Sequence, residues 1–306
     1  FSFGWRRSVR FSSLESKVFL SHQPTGIIAN HIMLWTLIIG LVIFTLYAAH
    51  VLYTRDKRKA SKKLLGRHVV ITGGSSGIGK AAASEAASLG AHVTIIGRDV
   101  NKLEQARKEI LAQCADPDSQ IIEYAALDVT SDYNVVQTCF ADLETKAGPI
   151  FMLVNCAGAC ICGLAYSAGK WAVRGLAEAV AMELVGTNVR VMLSYPPDTD
   201  TPGLRLENTT KPEETKIISG TGGLHTPESV GRKMIHDALV GKMYSTYSFS
   251  GNIMNILYGV SVESISQVVT QVLCMGFLRI LMVGVMASFH KIVRDQLKLK
   301  QAPATL

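Results

Sequence analysis

The stretch Arg-His-Val-Val-Ile-Thr-Gly-Gly-Ser-Ser-Gly-Ile-Gly, residues 67–79, decides the fold of this chain. Its β-branched residues Val69, Val70 and Ile71 predict a buried strand of a parallel sheet. A turn with four glycines follows, and the alanine-rich residues 80–89 predict a helix directly after it. A strand, a glycine turn and a helix start together present backbone N–H groups to a phosphate. From this stretch alone, a tight turn without a ligand remains the alternative.

A second predicted strand, residues 91–97, carries the next chemical signal at its end. It leads into Arg98-Asp99, about 20 residues beyond the last glycine, where enzymes that bind NAD place an acid on the ribose 2′-hydroxyl. Arg98 instead suits the 2′-phosphate of NADP, because a planar guanidinium can hold a phosphate through two hydrogen bonds. Asp99 is expected to cap the helix predicted over residues 100–113. The sequence therefore favours NADP over NAD.

Polar residues also follow the third and fourth predicted strands. Asp128-Val129 come after the strand predicted over residues 121–126. This acid can receive an adenine amino group or cap the next helix, and both roles stay open. The fourth strand, residues 150–154, ends in Asn155-Cys156-Ala157-Gly158. A further strand is predicted over residues 189–193, followed by a polar substrate loop over residues 203–224.

Four ordered motifs resemble those of the short-chain dehydrogenase/reductase family. They are Thr-Gly-x-x-x-Gly-x-Gly over 72–79, Asp-Val at 128–129, Asn-Cys-Ala-Gly over 155–158, and Tyr-x-x-x-Lys over 166–170. The family has Asn-Asn-Ala-Gly at the third of these. The resemblance covers about residues 66–245 and implies a Rossmann-like doubly wound parallel sheet and an NADPH-dependent oxidoreductase. Residues 195–203, Tyr-Pro-Pro-Asp-Thr-Asp-Thr-Pro-Gly, are similar to members that reduce a long-chain keto lipid in sphingolipid synthesis.

The resemblance also implies a set of site residues. The implied cofactor contacts are Gly73, Ser75, Ser76, Gly77, Ile78, Gly79, Arg98, Lys102, Asp128, Val129, Asn155, Ala157, Lys170, Thr199 and Thr201. Tyr166 is implied as the general acid that protonates the carbonyl oxygen, with Lys170 beside it. A free phenol has a pKa near 10, and an ammonium four residues further on the same helix face would lower that pKa. Taken without its context, Tyr-x-x-x-Lys is ordinary helix-surface sequence.

The link between the third and fourth motifs is too short for the family pattern. Only residues 159–165 separate Gly158 from Tyr166, whereas a strand–helix–strand crossover takes about 30 residues or more. The family places there a helix with an active-site Asn and a central strand that ends in the catalytic Ser. The sequence therefore predicts a sheet about one strand–helix unit short, and a chain that folds poorly and lacks reductase activity.

Hydropathy and charge predict membrane attachment. Residues 32–53 carry no acid, Lys or Arg and match the roughly 20 residues of a spanning helix. The predicted organisation is a polar tail or gene-model extension (1–31), a transmembrane anchor (32–53), a basic linker (54–65), an NADP-binding reductase domain (66–245), a hydrophobic membrane segment (252–290) and a tail (291–306). The basic linker places the reductase domain in the cytosol by the positive-inside rule. Arg279 lies in the middle of the second apolar segment, so a re-entrant or interfacial pair of helices stays open.

Composition and charge limit the partners, the metal content and the compartment that the sequence predicts. The net charge of +7 is concentrated in the linker, so no nucleic-acid partner is expected. Six cysteines in a long chain fit free thiols in a reducing compartment, and Cys160-x-Cys162 lacks a second pair of ligands, so no metal is expected. The leading hypothesis is a reductase of a long-chain keto lipid in the endoplasmic reticulum membrane. A membrane-bound reductase of steroids or retinoids, a catalytically inactive membrane protein and a homo-oligomer stay open.

Overall fold

The computed structural model describes residues 64–158, 164–258 and 265–301, together with Gly40 and Phe44. The chain divides into two units, residues 1–55 and 56–306, and the description below concerns the second. The predicted polar tail and anchor fall outside the described residues apart from Gly40 and Phe44. The predicted basic linker also falls outside the described residues, apart from Leu64 and Leu65. Cys160 and Cys162 are likewise outside the described residues.

Strands and helices alternate along the first half of the second unit. They are β1 (His68–Thr72), α1 (Gly77–Ser88), β2 (His92–Gly97), α2 (Val100–Leu111), β3 (Ile122–Ala126), α3 (Tyr133–Ala147) and β4 (Ile150–Asn155). The second half contains α4 (Leu164–Glu183), β5 (Leu193–Tyr195), α5 (Pro202–Thr210), α6 (Glu213–Gly220), α7 (Pro227–Val240), β6 (Tyr244–Thr246), α8 (Phe249–Tyr258) and α9 (Ile265–Gln301).

The four-stranded sheet confirms the parallel α/β architecture. Its order is β3-β2-β1-β4, and all neighbouring strands are parallel. Helices α1 and α7 cover one face, where Ile71 and Ile95 pack with Ile235 of α7. Helix α3 covers the other face, where Leu143 packs with Val70 and Ile96. Both faces of β1 are therefore buried, which explains why Val69, Val70 and Ile71 are apolar in succession rather than alternating with polar residues.

Helices α1 and α7 pack closely because both carry small residues at their contact. A Cβ atom on Gly231 of α7 would lie 2.6 Å from the backbone nitrogen of Ala82 in α1. Glu85 of α1 accepts a hydrogen bond from Arg232 at 3.2 Å and pairs with His236 at 2.8 Å. These contacts fix α7, and with it the strand that follows, against the first helix of the domain.

The sheet is interrupted beside β4. Strands β5 and β6 form a separate parallel pair, so β4 has only β1 as a neighbour among the described residues. Phe151 and Leu153 of β4 remain 46% and 45% exposed. The predicted strand over residues 189–193 is wrong in position, because only Leu193–Tyr195 finds a partner in β6. The interruption lies where the sequence predicts a missing strand–helix unit.

Helix α4 follows this interruption and buries little. No residue from Tyr166 to Glu183, all of them described, is buried, and Trp171, Leu176 and Met182 are largely exposed. Glu178 of this helix accepts hydrogen bonds from Arg174 of the same helix at 2.9 Å and from Tyr244 of β6 at 2.8 Å. Arg174 also donates to the carbonyl oxygen of Tyr258 in α8. The bond from Tyr244 thus joins α4 to the separate β5–β6 pair.

The predicted substrate loop over residues 203–224 is helical instead. Thr201 caps α5 by accepting from Leu204 N at 3.1 Å, and Pro202 takes the first helical position, which suits its fixed backbone angle. Helix α9 is continuous over 37 residues. Its stretch Gln271–Lys300 is long and apolar enough to cross a membrane by length and composition, and none of its most apolar part is buried. Lys300 at its end pairs with Glu214 of α6 at 2.9 Å.

Candidate active site

The glycine turn is packed so closely that most of its positions have no room for a side chain. Gly73 and Gly77 have φ angles of 68° and 55°, in the left-handed region that glycine tolerates best. A Cβ atom on Gly73 would lie 2.8 Å from Ala157 N, and one on Gly79 would lie 2.9 Å from the carbonyl carbon of Gly73. Helix α1 starts at Gly77, and no described side chain caps it. Its first N–H groups therefore point to a site that fits the pyrophosphate of a dinucleotide.

Thr72 ties the end of β4 to this turn. Its carbonyl oxygen accepts from Cys156 N, and its hydroxyl oxygen accepts from Ala157 N, both at 3.1 Å. Asn155 lies beside Thr72 in the strand register. Sequence reasoning treated Thr72 only as the first letter of a motif, although a hydroxyl at the end of a buried strand indicates a polar contact there.

The predicted cofactor residues after β2 and β3 lie close to one another. Nη1 of the exposed Arg98 is 3.8 Å from Oδ2 of Asp128, whose other carboxylate oxygen accepts from the backbone and hydroxyl of Thr130. These two hydrogen bonds, and then Arg98, lower the pKa of Asp128. Asp99 caps α2 by accepting from Lys102 N at 3.2 Å, as predicted. The Lys102 ammonium returns to the same carboxylate at 3.5 Å.

The segment after β5 reaches the glycine turn. A Cβ atom on Gly77 would lie 3.0 Å from the methyl carbon of Thr201, so Thr201 packs directly against the turn. Thr199 is buried, and its hydroxyl donates to Pro197 O at 2.7 Å. The structure thus brings Thr201 to the glycine turn, whereas the hydroxyl of Thr199 bonds within its own segment.

The Tyr–Lys pair lies near the start of α4. The Lys170 ammonium is 5.2 Å from the centre of the Tyr166 ring, as expected for residues four apart on one helix face. Tyr166 is half-buried and Lys170 is exposed. Burial raises the pKa of the Cys156 thiol to about 11, and the positive charge of Lys170 offsets part of that rise.

The remaining predicted residues are less confined. Ser76 and Val129 are exposed, Ser75 is half-buried, and Ile78 packs against the core below the turn. Two residues that sequence reasoning missed lie next to this group. Lys80, in the first turns of α1, pairs with Glu109 of α2 at 2.6 Å. The sequence signal that could have identified Lys80 is its position directly after the last glycine of the turn.

Comparison with a family model gives an independent view of the same region. The model for short chain dehydrogenases matches residues 67–165 and 159–212, in two pieces that overlap over the short link. A single continuous match would be expected if the link had the ordinary length. The break in the match therefore coincides with the interruption of the sheet beside β4.

Two curated relatives cover most of the chain. The chain is 37% identical to 3-dehydrosphinganine reductase of Danio rerio over 76% of its own length and 87% of that protein. It is 35% identical to 3-ketodihydrosphingosine reductase of Mus musculus over 86% of its own length and 96% of that protein. The second alignment extends over 323 residues, more than the 306 of this chain, so it includes positions that this chain lacks.

A solved structure supports the fold alone. L-sorbose reductase from Gluconobacter frateurii, complexed with NADPH and L-sorbose, superposes with a TM-score of 0.51. It is 18% identical, and the superposition covers 61% of this chain and 97% of that one. The parallel sheet and its helices are thus shared, while a likeness at this identity says nothing about the substrate.

Proposed function

Because the chain belongs to the short-chain dehydrogenase family, we propose that it carries the NADPH site and the Tyr–Lys pair of a 3-ketodihydrosphingosine reductase. Such an enzyme reduces 3-ketosphinganine to sphinganine. The observation that supports this best is the meeting of Gly73, Ala157 and Thr201 around one cradle at the end of β1. Its curated relatives bear the name of that activity, which favours a long-chain keto lipid over a steroid or retinoid.

We propose the following roles for the site residues. NADPH supplies a hydride to the keto carbon when it is bound. The Tyr166 hydroxyl donates a proton to the keto oxygen, and the Lys170 ammonium beside its ring favours the phenolate that remains. The glycine turn and the start of α1 hold the pyrophosphate, while Arg98 and Lys102 hold the 2′-phosphate.

We propose that the catalytic part of this site is incomplete. Strands β4 and β5 lie in different sheets, although the family joins them through a central strand. That strand would bring the catalytic Ser, and the helix before it the active-site Asn. We expect this chain to bind NADPH and to turn over 3-ketosphinganine only after the missing unit is restored.

Membrane attachment is part of the same proposal. Helix α9 contains an apolar stretch of spanning length, and residues 32–53 of the sequence have the composition of a second such segment. A long-chain lipid substrate is itself dissolved in a bilayer. We place the protein in the endoplasmic reticulum membrane with residues 66–245 in the cytosol, as the basic residues after position 54 favour.

The test compares two proteins purified in detergent. One is the chain as it stands, and the other carries the segment of the mouse relative between Gly158 and Tyr166. We expect enhanced NADPH fluorescence with both, and oxidation of NADPH by 3-ketosphinganine with the second alone. In that second protein, Tyr166→Phe should abolish turnover and retain NADPH binding. Turnover by the unaltered chain would contradict the incomplete site, and absence of NADPH binding in both would contradict the reductase.

A further inference from the structure

A charged cavity lies between the glycine turn and helix α2. Its volume is about 360 Å³. The polar residues that line it are Ser75, Lys80, Asp99, Asn101, Lys102, Gln105 and Glu109. Its position is defined by Ser75, whose Oγ would lie 3.5 Å from a Cβ atom on Gly97, the last residue of β2. The end of this strand is where the ribose 2′-position of a dinucleotide is expected.

Each cation of the cavity has an acid as its partner. The Lys80 ammonium contacts Oε2 of Glu109 at 2.6 Å, and Gln105 donates to the other oxygen of Glu109 at 2.8 Å. Lys80, and then Gln105, lower the pKa of Glu109. Lys102 contacts Asp99 at 3.5 Å. The side chains of Lys80 and Glu109 are 35% and 40% exposed, so neither is locked in place by packing.

We propose that Lys80 is a further specificity residue, which releases Glu109 and binds the 2′-phosphate of NADPH. The inference rests on the proposed function and names a residue beyond Arg98 and Lys102. A phosphate monoester carries a charge of about −1.5 to −2 at pH 7, so it competes with a single carboxylate for an ammonium. Arg98 is not among the residues that line the cavity, whereas Lys80 and Lys102 face it from opposite helices.

Glu109 competes with the 2′-phosphate for the Lys80 ammonium in this arrangement. It keeps the Lys80 ammonium oriented and paired while the 2′-phosphate is absent, and part of the binding free energy is used to separate the two side chains. NADH has no 2′-phosphate and leaves the ion pair intact. The two residues should therefore have opposite effects on the preference for NADPH.

The test is a fluorescence titration of the full chain in detergent with NADPH and, separately, with NADH. Lys80→Gln should raise the dissociation constant for NADPH about tenfold and leave that for NADH within about twofold. Glu109→Gln should lower the dissociation constant for NADPH about threefold. Lys108→Gln is the matched control, since Lys108 is an exposed lysine of α2 outside the cavity. A thermal melt of each variant accompanies the titration.

The outcomes separate this inference from the proposed function. A purely structural ion pair between α1 and α2 would give lower melting temperatures for both variants and equal changes for NADPH and NADH, which would overturn the role of Lys80. An unchanged NADPH-to-NADH ratio in Lys80→Gln would do the same and leave the reductase proposal standing. If the unaltered chain binds neither nucleotide, the cofactor site itself is refuted, and the role of Lys80 with it.

Discussion

Insertion of the missing strand–helix unit between Gly158 and Tyr166 should stabilise the chain by several kcal/mol. The new strand would pair with β4 and β5 and convert two separate sheets into one. Side chains that now contact solvent on β4 and α4 would then be covered. The change is best made with the corresponding segment of the mouse relative, because its length and apolar pattern come from a chain of the same fold.

The magnitude follows from the exposed side chains. Phe151 and Leu153 are 46% and 45% exposed, and Trp171, Leu176 and Met182 are 63%, 65% and 74% exposed. Full burial of a large apolar side chain contributes about 1.5–3 kcal/mol, so covering these fractions contributes about 4–9 kcal/mol in all. This range is an upper bound, because unfolded chains already bury part of their surface and the insert must itself be ordered. A net gain of about 3 kcal/mol is a conservative expectation.

Urea denaturation followed by circular dichroism measures this gain. With a slope near 2–3 kcal/mol/M, a gain of about 3 kcal/mol moves the midpoint upward by about 1 M or more. A flexible Gly/Ser insert of the same length is the control, since it lengthens the link without adding apolar surface. Equal midpoints for the two inserts would refute the argument that β4 and α4 lack a covering unit.

Three further predictions concern the chain without an insert. Gly79→Ala should weaken NADPH binding at least about tenfold, because the new Cβ atom would press on the Gly73 carbonyl group. The control is Gly276→Ala, which should have no effect in the same titration because the space around Gly276 is open. Asp237→Asn should cost about 1–3 kcal/mol in urea denaturation. Burial raises the pKa of Asp237, but hydrogen bonds from two lysines and a serine lower it more, so its pKa lies below the ordinary value. The stability that it contributes is therefore complete above its unfolded pKa of about 3.9 and is lost as the pH falls through the lower folded pKa. Acid unfolding should accordingly be shallower in Asp237→Asn, and an identical pH profile would contradict this. Leu153→Lys should reduce self-association in sedimentation experiments at little cost in melting temperature, since an exposed apolar edge strand invites pairing with another chain.

The local elements were predictable because their signals are local. The alanine-rich helix after the glycine turn and the helix that Asp99 caps depend on a few neighbouring residues, and each was predicted close to its observed bounds. The strand after α4 was misplaced because its extent depends on the distant β6 as a partner. The helices within residues 203–224 were missed because the polar composition there outweighed the Thr201-Pro202 helix start.

The sequence by itself determined the parallel α/β fold, the glycine cradle and the absence of a crossover between Gly158 and Tyr166. These follow from residue order and chain length, since seven residues cannot contain a strand and a helix. Only the tertiary structure decided that Thr201 packs on Gly77 and that Lys80 is paired with Glu109, because these residues are brought together by the packing of separate helices. It also decided the consequence of the short link. The sheet ends at β4 among the described residues, because none of their segments supplies the hydrogen bonds and apolar cover of a central strand there.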